Sequence, residues 1–84
     1  MSIYNIIHII GRIKMISYKP LFNTMKEKNI TSYKLEKMGF SRATYHSIRK
    51  GNGISTSTIN QLCKLLDCTV SDIIEFTDED TTSD

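Results

Sequence analysis

Arg42, Ala43, His46, Ser47, Arg49 and Lys50 fall within nine consecutive residues. If that stretch is helical, Tyr45 and Ile48 point inward and the other six share the opposite side. Five of the six can donate hydrogen bonds, and three carry fixed positive charge. That is a surface for recognition rather than for bond breaking. Catalysis finds no support elsewhere. The two histidines, His8 and His46, lie in separate segments, and no carboxylate is spaced to orient either. No glycine-rich phosphate loop occurs, and the acidic run Asp78-Glu79-Asp80 lacks the glycine and spacing of a calcium loop. Cys63 and Cys68 have no second pair to complete a zinc site or a disulfide framework, and Cys63 reads as a small buried hydrophobe. No enzyme activity, cofactor, metal or small-molecule ligand is expected.

The chemistry that remains is the reading of nucleic-acid edges. An α-helix fits the major groove of B-form DNA. There Arg42 can bond bidentately to guanine, Ser47 can donate or accept, the Ala43 methyl can touch the thymine methyl, and His46 is a further candidate reader. Lys50 and Asn52, at the helix end, are placed for phosphates, and Arg49 reads as phosphate-neutralising. A second helix beginning at Thr31, Ser32 and Tyr33 offers backbone N–H groups and hydroxyls to a phosphate oxygen.

Charge points the same way. Residues 12–50 hold ten of the eleven basic residues against two acids, a net of +8, whereas residues 51–84 sum to −6. The first half therefore suits an anionic partner. The chain has 84 residues, enough for one domain with a small core. Its hydrophobic content of 39% suits a folded chain. No secretory signal is evident, and an intracellular, cytoplasmic protein is expected.

The elements that must position these residues are written in caps. Thr31, Ser41, Ser55 and Thr69 each read as a helix N-cap, with apolar staple pairs Ile30/Leu35, Phe40/Tyr45, Ile54/Ile59 and Cys68/Ile73. Asp72 completes a capping box with Thr69. The pattern predicts five helices, over about 20–28, 32–38, 42–50, 56–66 and 70–76. Pro20 suits a first turn, and Gly39 and Gly51 suit helix ends. Ile59, Leu62, Cys63 and Leu66 form the clearest apolar stripe. Leu21, Phe22, Met25, Leu35, Met38, Phe40, Tyr45, Ile48, Val70, Ile73 and Ile74 complete the expected core. The expected fold is all-α, a compact five-helix bundle. Its domains are an extension over 1–16, a helix-turn-helix unit over 17–76 and an acidic disordered tail over 77–84.

The isoleucine-rich stretch 1–16 leaves three readings open. It is a disordered tail, or an artefact of start-codon choice with Met15 as the true start. It is a β-arm that pairs with a second subunit. Or it is a membrane-surface anchor, the run being too short to span a bilayer.

The stretch Tyr18 to Phe76 resembles the Xre/Cro/CI-type helix-turn-helix regulators of bacteria and phages, in particular their small single-domain members. The resemblance rests on Lys19-Pro20-Leu21-Phe22, Ile30-Thr31-Ser32-Tyr33-Lys34-Leu35, Gly39-Phe40-Ser41-Arg42-Ala43-Thr44, Ser55-Thr56-Ser57-Thr58-Ile59, Leu62 to Cys68, and Asp72 to Phe76. One departure is that Leu35 stands four residues before Gly39, where the family usually has five, so the second helix is one residue shorter or slightly rotated. The resemblance implies a lambda-repressor-like DNA-binding domain whose third helix enters the major groove. It implies that Arg42, Ala43, His46 and Ser47 face bases and that Thr31, Ser32, Thr44, Lys50 and Asn52 meet the backbone.

The expected function is that of a sequence-specific regulator of transcription, a repressor, acting as a homodimer on a pseudo-palindromic double-stranded operator. The dimer surface is expected on the fifth helix or the amino-terminal strand. The alternative is an antitoxin-like or anti-repressor module that binds protein through the same fold. The retained Arg42, Arg49 and Lys50 separate the two in favour of DNA.

Overall fold

The computed structural model describes residues 12–80. Its elements in order are β1 (Arg12–Ser17), α1 (Lys19–Glu27), α2 (Ser32–Lys37), α3 (Arg42–Arg49), α4 (Thr56–Leu66), a 3-10 turn (Val70–Asp72) and β2 (Glu75–Asp80). Four helices therefore form, three of them on the expected caps, while α1 has Pro20 in its first turn and no side-chain cap bond. The Thr31 hydroxyl accepts from the Lys34 N–H at 3.1 Å, Ser41 from Thr44 at 3.2 Å, and Ser55 from Thr58 at 3.2 Å. Each bond satisfies a donor that the first helical turn leaves without a partner. The second helix, α2, has six residues and ends one residue before the expected Met38.

All four helices also end alike. A residue of positive φ follows each last turn: Asn29, Gly39, Gly51 and Asp67. The N–H of the next residue reaches back to the carbonyl five positions earlier, in the pairs Ile30/Met25, Phe40/Leu35, Asn52/Ser47 and Cys68/Cys63, at 2.8–3.2 Å. This is the Schellman closure, which also brings the two side chains of each pair together. At Gly39 φ is +109°, beyond the range a side chain tolerates well, so glycine is required at that turn.

The fifth helix is not formed. Val70–Asp72 makes a single 3-10 turn, and the chain then extends into β2, so the fold is mostly helical with a two-stranded sheet rather than all-α. The capping box is present: the Asp72 carboxylate accepts from the Thr69 N–H at 3.0 Å and from its hydroxyl at 3.1 Å. It starts a turn that nothing extends, because residues 75–80 take their backbone partners from β1. The pairing is antiparallel, Arg12 with Asp80, Lys14 with Asp78, Met15 with Thr77, Ile16 with Phe76, Ser17 with Glu75. Two expectations are corrected here. The strand of the amino-terminal segment pairs within its own chain over 12–17, and residues 77–80 belong to a strand. The readings for residues 1–11, and the tail beyond Asp80, lie outside the described residues.

The core consists of Tyr18, Leu21, Met25, Leu35, Phe40, Ile48, Leu62, Leu66 and Ile73. Phe22, Tyr45, Cys63 and Ile74 are half-buried around it. Val70, expected inside, is 53% exposed, whereas Ile73 is buried. Two bonds tie the ends of the domain together. The Leu21 N–H donates to the Ile73 carbonyl at 3.2 Å, and the buried Thr24 hydroxyl donates to the Asp72 carbonyl at 2.8 Å.

The bonds from Thr69 hold the Asp72 carboxyl below its ordinary value of 3.8, backbone first and hydroxyl second. A depressed carboxyl stabilises the fold above its ordinary pKa and loses that contribution as pH falls through the lowered one. We expect the thermal midpoint to hold from neutral pH into mild acid and to fall only below the ordinary carboxylate range. Asp72→Asn removes the contribution at neutral pH and flattens the acid limb in a circular-dichroism melt.

Candidate nucleic-acid interface

Ser41 caps α3 and Ile48 anchors it, 1% exposed, so the opposite side of the helix faces out. Arg42, His46 and Arg49 follow one another at helical spacing along one row of that side. They line a cleft of about 320 Å³ between α2 and α3, together with Ser32 and Tyr33 from α2. Ala43, Thr44 and Ser47 lie on the other flank, in a shallower depression shared with Gly53, Ile54 and Thr58. The residues expected at bases thus occupy the ridge between two clefts. Arg42, Ala43 and His46 are exposed and Ser47 is half-buried.

Arg42 is held. Its Nε donates to the Glu36 carboxylate at 2.9 Å, across the turn that joins α2 to α3. The Arg42 side chain is 76% exposed, so the pair adds little to stability. Its effect is to orient. With Nε engaged, the four outer N–H bonds of the fork remain for a planar pair of acceptors.

Arg49 lies with its guanidinium 5.2 Å from the Phe22 ring centroid. Phe22 in turn meets the Tyr45 ring edge-on at 6.3 Å. Lys37 Nζ sits 5.3 Å from the Tyr33 ring. These stacked contacts position two cations beside the cleft while leaving their charge in solvent.

At the carboxyl end of α3 one expected phosphate residue, Asn52, is tied by hydrogen bonds to Ser47 and Tyr18. Asn52 donates from its amide side chain to the Ser47 hydroxyl at 3.1 Å. Its carbonyl accepts from the Tyr18 hydroxyl at 2.6 Å. Tyr18 is 8% exposed, and burial pushes its phenol above 10.0, so it remains a donor well into the alkaline range. Tyr18→Phe should lower stability by about 1 kcal/mol, read from a denaturant midpoint. Lys50 is exposed at the same helix end, and Thr31, Ser32 and Tyr33 are exposed at the start of α2.

Glu36, Phe22 and Tyr18 are the functional neighbours that sequence reasoning did not assign. Glu36 carried a signal, an acid six residues before a cation across a short turn. Tyr18 carried none, since its acceptor lies 34 positions away. Among the described residues no three or more His, Cys, Asp or Glu side chains group as a metal set. Nor does any described helix have the length and hydropathy to cross a membrane.

No curated protein matches the chain. The crystal structure of transcriptional regulator VanUg superposes with a TM-score of 0.68 at 27% identity, covering 82% of this chain and 91% of that chain. The family model for the Cro/C1-type helix-turn-helix DNA-binding domain matches residues 21–79, a span that takes in all of α2 and α3. The chain belongs to the Cro/C1-type helix-turn-helix DNA-binding domain family.

Proposed function

We propose that this protein is a sequence-specific transcriptional regulator, a repressor, that inserts α3 into the major groove of double-stranded DNA. The observation that carries the reading is the Arg42 fork, anchored at Nε by Glu36 and otherwise open on an exposed helix face. Arg42, Ala43, His46 and Ser47 read base edges. Thr31, Ser32, Tyr33, Thr44, Arg49, Lys50 and Asn52 meet phosphates and set the docking register. The likeness to a transcriptional regulator supports the regulatory role.

One such helix reads few base pairs. A second copy of the chain on a pseudo-palindrome, about one helical turn away, supplies the rest. Ile16 faces Phe76 in the register of the β1–β2 ribbon, and the two stand 48% and 66% exposed. An apolar patch on a two-stranded ribbon, marginal by itself, suits burial against its own copy. Of the two dimer surfaces expected from the sequence, the amino-terminal strand is therefore the one retained. The protein-binding alternative gains no observation of its own.

Selection from a pool of random duplexes at two salt concentrations tests the proposal. Enrichment of a two-fold symmetric motif is the expected result, with binding that weakens steeply as salt rises. Salt-dependent binding without a motif, or no binding at low salt, overturns it.

A further inference from the structure

We propose that Cys63 and Cys68 are a reversible dithiol–disulfide modification site, closed by exchange with a small disulfide such as oxidised glutathione. The four helix ends share one geometry. In each, the Schellman closure brings together the side chains at the two bonded positions, and in each the pair matches in kind. Met25 meets Ile30 and Leu35 meets Phe40, apolar with apolar. Ser47 meets Asn52, hydroxyl with amide, at 3.1 Å. The fourth pair is two thiols, with the Cys68 N–H bonded to the Cys63 carbonyl at 3.0 Å. That backbone bond holds the two residues close across the turn, as a disulfide requires.

Both thiols pack against the edge of the core without being enclosed by it. Both are free and half-buried, and both line one open apolar groove with Ile59, Val70 and Ile74. Burial pushes the Cys68 thiol above 9.0, and the neighbouring Cys63 thiol adds to the rise. At the αL position between helix end and Cys68 stands Asp67, with φ of +51° where glycine is usual. A covalent link across the turn would hold that strained residue in place.

The chemistry balances in two exchanges. A thiolate of the pair attacks the small disulfide, forming a mixed disulfide and releasing one glutathione thiolate. The second thiolate attacks the protein sulfur, closes the Cys63–Cys68 bond and releases the second glutathione. The protein loses two protons and two electrons, which pass to the oxidised glutathione and leave two reduced molecules. In a reducing compartment such a bond is transient and responds to redox state.

The full chain is incubated with oxidised glutathione at neutral pH, natively and in denaturant, then acid-quenched, alkylated and weighed. The expected native product is a monomer lighter by two hydrogens, mapped to a Cys63–Cys68 peptide and reopened by dithiothreitol. It should form faster natively than in denaturant, since the fold holds the thiols together. Cys63→Ser and Cys68→Ser should each stop at a single glutathione adduct. Native wild-type protein that also stops at adducts, stays unreacted, or closes only once unfolded overturns the proposal.

Discussion

Arg42→Ala is expected to weaken binding to the preferred duplex by about 1–3 kcal/mol, roughly five- to 150-fold, and to relax the choice of base at one position per half-site. The reason is geometric. A guanidinium free to rotate must be ordered at the moment of binding, which costs side-chain entropy. Glu36 has already fixed one end of it. The same contact gives an expectation of mixed sign for Glu36→Gln. Removing an acid beside the DNA strengthens salt-dependent attraction for every sequence, while a loosened Arg42 discriminates less. General affinity should therefore rise as specificity falls. Lys50→Ala provides the contrast, weakening all sequences alike and lowering the salt slope by about one. Competition binding against preferred and scrambled duplexes separates these outcomes. Equal losses on both duplexes for Arg42→Ala would mean that Arg42 meets only phosphate.

Ile48→Ala is expected to cost about 2–5 kcal/mol of folding stability, from lost burial and the cavity it leaves. Ile48 is 1% exposed and is the fully buried anchor of α3. The whole stability of a domain is typically about 5–15 kcal/mol, and a small one has less core to draw on. This substitution thus takes a large share. It also unseats the recognition helix, so DNA binding should fall with the folded fraction and recover in part at lower temperature. Ile48→Val removes one methylene and should cost about 1 kcal/mol. Chemical denaturation followed by circular dichroism gives both values. An Ile48→Ala midpoint close to that of wild type would show that α3 is not held by this side chain.

The elements that carry the site were legible because their signals are local. Thr31, Ser41 and Ser55 each sit three residues from the N–H they accept, and Gly39 and Gly51 mark the turns around α3. The exposed side of α3 follows from the helical period alone. The carboxyl end was misread for the opposite reason. Residues 75–80 carry an acidic run that looks solvated, and their partner strand lies some sixty positions earlier. A strand defined by so distant a pairing leaves no local pattern. For the amino-terminal isoleucines a strand was one of three readings, with a second subunit as its partner, whereas over 12–17 the partner is the chain's own β2. Within the site, the residue types and the face could be read directly. The Glu36–Arg42 pair and the Tyr18–Asn52 bond could not, since each depends on how two elements meet.

The central claim is that α3 and the start of α2 form the DNA-binding face. The most direct measurement is a titration of isotope-labelled protein with a short duplex at low salt, following backbone amide shifts. The largest changes are expected at residues 42–52 and 31–34, with the β1–β2 ribbon and the groove beside Cys63 little affected. Shifts concentrated on Cys63, Val70 and Ile74, with α3 unmoved, would contradict the claim.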